Sequence, residues 1–307
     1  MNYPYQLIGN LKSLKMLSTK TQLIGLKADR FRHPLDLEAT TSLRRLPGLD
    51  LLVRNLLGGM TEDFLHLSNI ASSVLIGEQQ LPHIHQLLVE ACQILDLEIP
   101  QLYLKQNPAP NAYTMAVRGK KPFIVVHTSL VDLLTPAELQ AVLAHELGHL
   151  KCEHGVYLTL ANLIVMATGG LVPGIGNSIA QNLQAQMLQW LRCAEFSCDR
   201  AALLVSQDPK IVVSVLMKLS GGSPQLAPLL NVDAFLAQAR AYEEIGSTDF
   251  GKMLTSMQTE QLSHPVPVLR AKEIDRWAQT DNYQYLLNNP TVRYDKQAIN
   301  KGDWRNW

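Results

Sequence analysis

Apolar and polar positions alternate in distinct ways along the chain and predict its elements. Residues 61–97 carry helical spacing. In LPHIHQLLVEACQILDL the apolar side chains Ile84, Leu87, Leu88, Ala91 and Leu95 recur at three- and four-residue intervals. Pro100 is expected to stop that helix, because it lacks an N–H and clashes with the preceding turn. PQLYLKQ and PFIVVHTSL read as strands, the second with a β-branched run. The turn-rich segment between them holds a candidate short strand at Ala112–Val117. Thr135-Pro136-Ala137-Glu138 then marks a helix start: Thr at the N-cap, Pro at the first helical position and Glu placed to close a capping box. That helix is expected to run to His154, with Gly155 as its C-cap. Further helices are expected over 178–205, 209–220, 232–245 and 266–279. Few strands, one long central helix and a mostly helical C-terminal half predict an α+β fold, predominantly helical, with a small mixed sheet. Residues 1–59 form an N-terminal segment packing on or leading into the domain, 60–280 the domain, and 281–307 a polar tail that wraps or frays.

Composition narrows the class. The 307 residues carry 27 Lys+Arg against 27 Asp+Glu, 47% hydrophobic and 18% charged residues. This is globular composition, long enough to bury a core, and its balanced charge gives no reason to expect nucleic acid as a partner. Four cysteines (Cys92, Cys152, Cys193, Cys198) in a chain this long are no disulfide framework and favour a reducing compartment. The N-terminal residues lack a continuous apolar stretch of signal-peptide type. From Gly155 to Leu191 there is no charged residue. Its apolar core, VYLTLANLIVMAT, would reach roughly 20 Å as a helix, short of a ~30 Å hydrocarbon layer. A buried helix is the plain reading; peripheral membrane contact through residues 155–180 and a true span are the alternatives.

His145-Glu146-Leu147-Gly148-His149 changes the picture most. With 9 His in 307 residues, chance gives about 0.01 HExxH matches. Two imidazoles one turn apart on a helix face can reach one metal, and the Glu, rotated about 100° around the axis, sits beside it. Zinc in such a site lowers the pKa of a bound water and the Glu acts as general base. A third protein ligand is required. The positions that would continue a metzincin pattern hold Cys152 and Gly155, so that pattern fails. His154 points off the ligand face if the helix continues, and reads as a capping or surface residue. Downstream, Glu195 and Asp199 lie at i and i+4 on the 178–205 helix. Glu195 can bind zinc while Asp199 accepts the second ring N–H of a ligating His. Cys198 is an alternative donor, although a buried core thiol is the plainer reading.

HELGH followed about 50 residues on by RxxExxxDR resembles the gluzincins of peptidase family M48, which includes HtpX, the CAAX prenyl proteases and Oma-type proteases. Pro110-Asn111-Ala112-Tyr113 and Ser263-His264-Pro265 with Arg270 match further family segments, and the likeness covers roughly residues 60–280. The resemblance implies a zincin-like fold and a zinc endopeptidase with one Zn2+ per chain acting on peptide or protein substrates. His145, His149 and Glu195 would be the ligands, Glu146 the base and Asp199 their support. His264 would lie near the oxyanion, and Asn111, Ala112 and Tyr113 would bind substrate. Arg192 and Arg270 would be salt-bridge partners. Without the resemblance, His264 is a loop histidine and Asn111 a turn residue. HtpX and the prenyl proteases carry transmembrane helices before HELGH, and this chain shows none there. The expected location is therefore cytoplasmic, with membrane association as the open alternative. A latent or inactive zinc-binding quality-control scaffold and a membrane-integrated protease are the competing functions.

Overall fold

The computed structural model describes residues 20–45, 60–116, 121–155, 157–158, 177–246 and 265–289; for 60–65 and 177–184 it describes the backbone alone. The expectations for His264, for the apolar run at 159–176 and for residues 290–307 lie outside the described residues.

The chain order is α1 (Pro34–Arg44), α2 (Met60–Ser72), β1 (Val74–Ile76), α3 (Pro82–Leu95), β2 (Gln101–Lys105), β3 (Ala112–Met115), β4 (Phe123–His127), α4 (Thr128–Leu133), α5 (Pro136–Lys151), α6 (Asn177–Ser206), α7 (Pro209–Gly221), α8 (Val232–Gly246), α9 (Pro267–Ala278) and α10 (Asp281–Asn288). The fold is α+β and predominantly helical. Its mixed sheet has the order β1-β2-β4-β3: β2 and β4 are parallel, the two outer pairs antiparallel. Among the described strands, β3 is therefore at the edge.

Several boundaries differ from the hydrophobic pattern. The helical stretch at 61–97 is two helices separated by β1, too short to break the apolar periodicity. α3 ends at Leu95 because Asp96 turns left-handed (φ 52°), before Pro100. β4 ends at His127, and Thr128 starts a helix. The polar tail begins as α10, which buries Tyr283 and Leu286.

α5 is the axis of the molecule. Its capping box is present: Thr135 N–H donates to Glu138 Oε2 (2.8 Å) and Glu138 N–H to Thr135 Oγ1 (3.4 Å). Glu138 also accepts from Ser214 (2.6 Å) and Lys218 (2.7 Å) of α7, tying the two helices. Nearly every α5 side chain from Glu138 to Lys151 is buried, His145 being the exception. α3, the sheet, α6 and α7 surround it. α6 crosses α5 at Gly148, where a Cβ would sit 2.8 Å from Cys198 Cα; only glycine lets the two backbones meet so closely. Residues 20–45 add Leu23, Leu26 and Phe31 to the core, and α1 lies along α6.

Candidate active site and metal centre

The crossing at Gly148 sets α6 against the exposed turn of α5. His145 and His149 stand one turn apart with ring centroids 5.4 Å from each other. Glu195 faces both: its Oε2 is 3.3 Å from His145 Nε2 and its Oε1 3.5 Å from His149 Nε2. Asp199, one turn on, is an acceptor only, so His145 Nδ1–H donates to its Oδ1 (3.1 Å) and leaves Nε2 directed at Glu195. Arg270, brought by α9, is ion-paired as expected. Nε and Nη2 fork onto Asp199 (2.8 and 2.6 Å), and Nη1 reaches Glu195 Oε2 (3.2 Å). Glu146 points to the other side of the turn, where Thr114 of edge strand β3 donates its hydroxyl to Oε2 (2.6 Å).

The electrostatics follow from these neighbours. Burial works against a charged His145, but Glu195 and Asp199 outweigh it and raise its pKa to about 10. Burial opposes an ionised Asp199, yet Arg270 and His145 hold it below the usual carboxylate range. Burial raises the Cys198 thiol well above its ordinary value, keeping it protonated at neutral pH.

A cavity of about 220 Å³ opens over this turn. Pro110, Asn111 and Ala112 line one side, His145, Glu146 and Glu195 the centre, and Val212, Val215 and Leu216 of α7 an apolar wall. Asn111 and Ala112, two of the three residues expected to meet substrate, thus line this cavity. Tyr113 alternates to the other face of the sheet, its ring 6.1 Å from His127 and packed on Tyr103, Phe123 and Val125.

The donor set suits a divalent cation. Two ligands about 2.0–2.1 Å from a tetrahedral zinc stand about 3.4 Å apart, and each imidazole has one Glu195 oxygen near that spacing, Oε2 at 3.3 Å from His145 and Oε1 at 3.5 Å from His149. Among the described residues, three carboxylates at this turn, Glu146, Glu195 and Asp199, gather around the single guanidinium of Arg270, an excess of acid that favours a cation. Cys198 Sγ lies within 4.8 Å of the imidazole donors as well.

A sequence profile described as Peptidase family M48 matches residues 78–278. The chain belongs to Peptidase family M48. The Arabidopsis thaliana protein named plastoglobule-localized metallopeptidase 48, chloroplastic, is 59% identical over 274 residues, 89% of this chain and 79% of that one. Protease HtpX homolog 2 of Methanosarcina acetivorans is 31% identical over 170 residues, 48% of this chain and 58% of that one. The crystal structure of S. mikatae Ste24p aligns with a TM-score of 0.39 at 14% identity, over 79% of this chain and 62% of that one. Membership in a metallopeptidase family makes peptides or proteins the substrate class. Among the described residues, no helix of this M48 chain is long and apolar enough to cross a membrane.

Three buried groups near the site escape the sequence pattern. Thr114 is the plainest: strand alternation puts it on the α5 face, two positions from Ala112. His154 is the largest correction. It is fully buried rather than on the surface, and its backbone N–H does cap α5, donating to the His149 carbonyl at 2.9 Å. α5 stops at Lys151, Glu153 adopts φ 59°, and the turn carries His154 back so that its Nδ1 lies 3.2 Å from His149 Nδ1. Burial lowers its pKa to about 4 against the pull of Asp36. Asp36, from α1, is the third. It is fully buried and lies outside the residues that the family profile matches.

Proposed function

We propose that the chain is a zinc-dependent metalloendopeptidase in which His145, His149 and Glu195 hold the metal and Glu146 is the general base. The observation that carries this is one buried Glu195 carboxylate standing 3.3 and 3.5 Å from the Nε2 atoms of both HELGH imidazoles. Zinc there would lower the pKa of a bound water towards ~7 and polarise a carbonyl. The chain's own groups do the rest. Glu146 takes the water proton and delivers it to the leaving amine. Thr114 holds the Glu146 carboxylate so that one oxygen is fixed against β3. Asp199, clamped by Arg270, keeps His145 in the tautomer that ligates through Nε2. An extended peptide adds to the free side of β3, with main-chain hydrogen bonds that tolerate sequence, beside Asn111 and Ala112. His264 is proposed as the oxyanion donor on the family resemblance alone. Residues 155–180 are proposed as a peripheral lipid contact, in keeping with the plastoglobule named for the plant relative; co-flotation of the chain with liposomes tests this.

The test combines elemental analysis with an unstructured protein substrate. Wild type should carry about one zinc per chain, and His149→Ala should lose it. Glu146→Gln should keep the zinc and lose activity by about 100-fold or more. Full activity in Glu146→Gln rejects the base, and zinc that persists in His149→Ala rejects the site.

A further inference from the structure

The two imidazoles of HELGH are supported differently. His145 leans on a carboxylate, Asp199, from the same helix as Glu195. His149 leans on another histidine, which leans on a carboxylate from outside the family-matched region. His154 Nε2 lies 3.0 and 3.1 Å from the two oxygens of Asp36, and His154 Nδ1 lies 3.2 Å from His149 Nδ1. Asp36 itself is fixed on three further sides, by Arg32 Nε (2.8 Å), Ser197 Oγ (2.6 Å) and Thr40 Oγ1 (2.9 Å).

The protons in this chain can be placed by elimination. A carboxylate offers no proton, so a nitrogen held against both Asp36 oxygens must carry one: His154 is Nε2–H. Arg32 Nη2 is 3.2 Å from the same nitrogen, but its two protons have better partners in Asp36 Oδ1 (3.1 Å) and Thr40 Oγ1 (2.9 Å). In the neutral ring, His154 Nδ1 is then an acceptor. The short Nδ1–Nδ1 contact (3.2 Å) needs one proton, which His149 supplies; the Cys198 thiol, 3.9 Å from His154 Nδ1, is the more distant donor to that nitrogen and puts no proton between the two rings. His149 Nδ1–H leaves the Nε2 lone pair directed at Glu195.

We propose that Asp36 and His154 are positioning residues, a carboxylate–histidine relay that fixes the Nε2-ligating tautomer and ring orientation of His149. The relay makes the N-terminal helix α1 part of the metal site. Asp36, Cys152 and His154 also form a compact donor group, but the guanidinium of Arg32 bound to Asp36 leaves no place for a cation there. The inference rests on His149 being a metal ligand.

The experiment uses the full chain, metal-stripped and reloaded with zinc, with affinity read by chelator competition and imidazole protonation by nitrogen-15 NMR of the zinc-loaded protein. In wild type, His149 should show a hydrogen-bonded Nδ1–H, and His154 a protonated Nε2 with a bare Nδ1. The opposite tautomer of His154 overturns the relay without any variant. His154→Leu should weaken zinc about 10–100-fold and lose the His149 Nδ1–H signature. His154→Asn, whose Oδ1 falls near the position of Nδ1, should restore both to near wild type, which a merely structural role would not predict. Asp36→Asn frees the tautomer of His154 and should weaken zinc even where His154→Leu fails to fold. Wild-type affinity in Asp36→Asn and in a folded His154→Leu overturns the proposal. If instead His149→Ala binds zinc like wild type, the ligand reading fails first, and the two failures are told apart.

Discussion

Gly148 gives the sharpest test of how the site is held. Gly148→Ala adds one methyl at the crossing of α5 and α6, where it would meet Cys198 Cα at 2.8 Å, Ala201 Cβ at 3.0 Å and Cys198 Cβ at 3.2 Å. Carbon contacts settle at about 3.5–4.0 Å. The first of these neighbours is backbone, so no rotamer relieves it and α6 must withdraw by about 0.7 Å or more. Two opposing terms set the stability. Alanine in a helix interior gains about 1 kcal/mol over glycine, and overpacking costs about 1–3 kcal/mol. The net loss is therefore expected to be at most about 2 kcal/mol, small enough for the chain to fold. The site has less tolerance. Glu195 lies one turn before Cys198 on the helix that moves, and metal–ligand distances hold to about 0.2 Å. Moving Glu195 by several times that margin should weaken zinc by about 100-fold or more, while urea unfolding of the metal-free chain should lose no more than about 2 kcal/mol. Gly77→Ala, with no atom within 4 Å of its added Cβ, is the control and should change neither. Wild-type zinc affinity in Gly148→Ala would refute the argument that this close approach positions the third ligand.

Two further outcomes follow from buried partners. Thr114→Val removes the hydroxyl that donates to Glu146 at 2.6 Å. A hydrogen bond to a charged group is worth about 1.5–3 kcal/mol, so turnover should fall about tenfold or more with zinc content unchanged; unaltered turnover would show that Glu146 needs no such support. Lys151 is buried with Nζ on the Asp96 carbonyl, and burial lowers its pKa from 10.5 to about 8. Between pH 8 and 10.5 the unfolded chain holds the proton that the folded chain has shed, so stability contributed by this group rises with pH by roughly 3 kcal/mol. Lys151→Met should flatten that rise; denaturation at pH 7.5 and 10 checks it, and an identical pH dependence in both proteins would refute it.

The central helix and the cluster of residues around HELGH were legible because each is written locally. The capping box needs only Thr135 and Glu138. HELGH needs one helical turn, and the i, i+4 spacing of Glu195 and Asp199 needs another. The strands at 101–105, 112–115 and 123–127 stood out through turn residues and β-branched runs. What escaped depended on backbone geometry or on distant partners. β1 has three residues, and a helical pattern runs over it. Asp96 and Glu153 end α3 and α5 in the left-handed region, with neither proline nor glycine to announce it. The end of α5 then misdirects the reading of His154, because rotation at 100° per residue holds only while the helix does. Asp36 carries no motif at all, and its role comes from a contact with a residue 118 positions away.

The distribution of charge explains why the site is assembled from so many separate elements. A helix can present two histidines cheaply, but burying Glu195 and Asp199 beside them would cost several kcal/mol per ion if they were unpaired. Arg270 of α9 compensates one charge and spans both carboxylates, which fixes their separation on α6 as well. The described carboxylates still outnumber Arg270, which favours a further positive charge at this turn, and a divalent cation would supply it. In the metal-free chain His145 takes up a proton instead, which is why its pKa is raised to about 10. Zinc and that proton occupy the same lone pair. Metal uptake at pH 7.5 should therefore release a proton from His145, counted by titration in two buffers of different ionisation enthalpy. A proton count of zero in wild type at pH 7.5 would mean that the two carboxylates already share their charge with Arg270 alone.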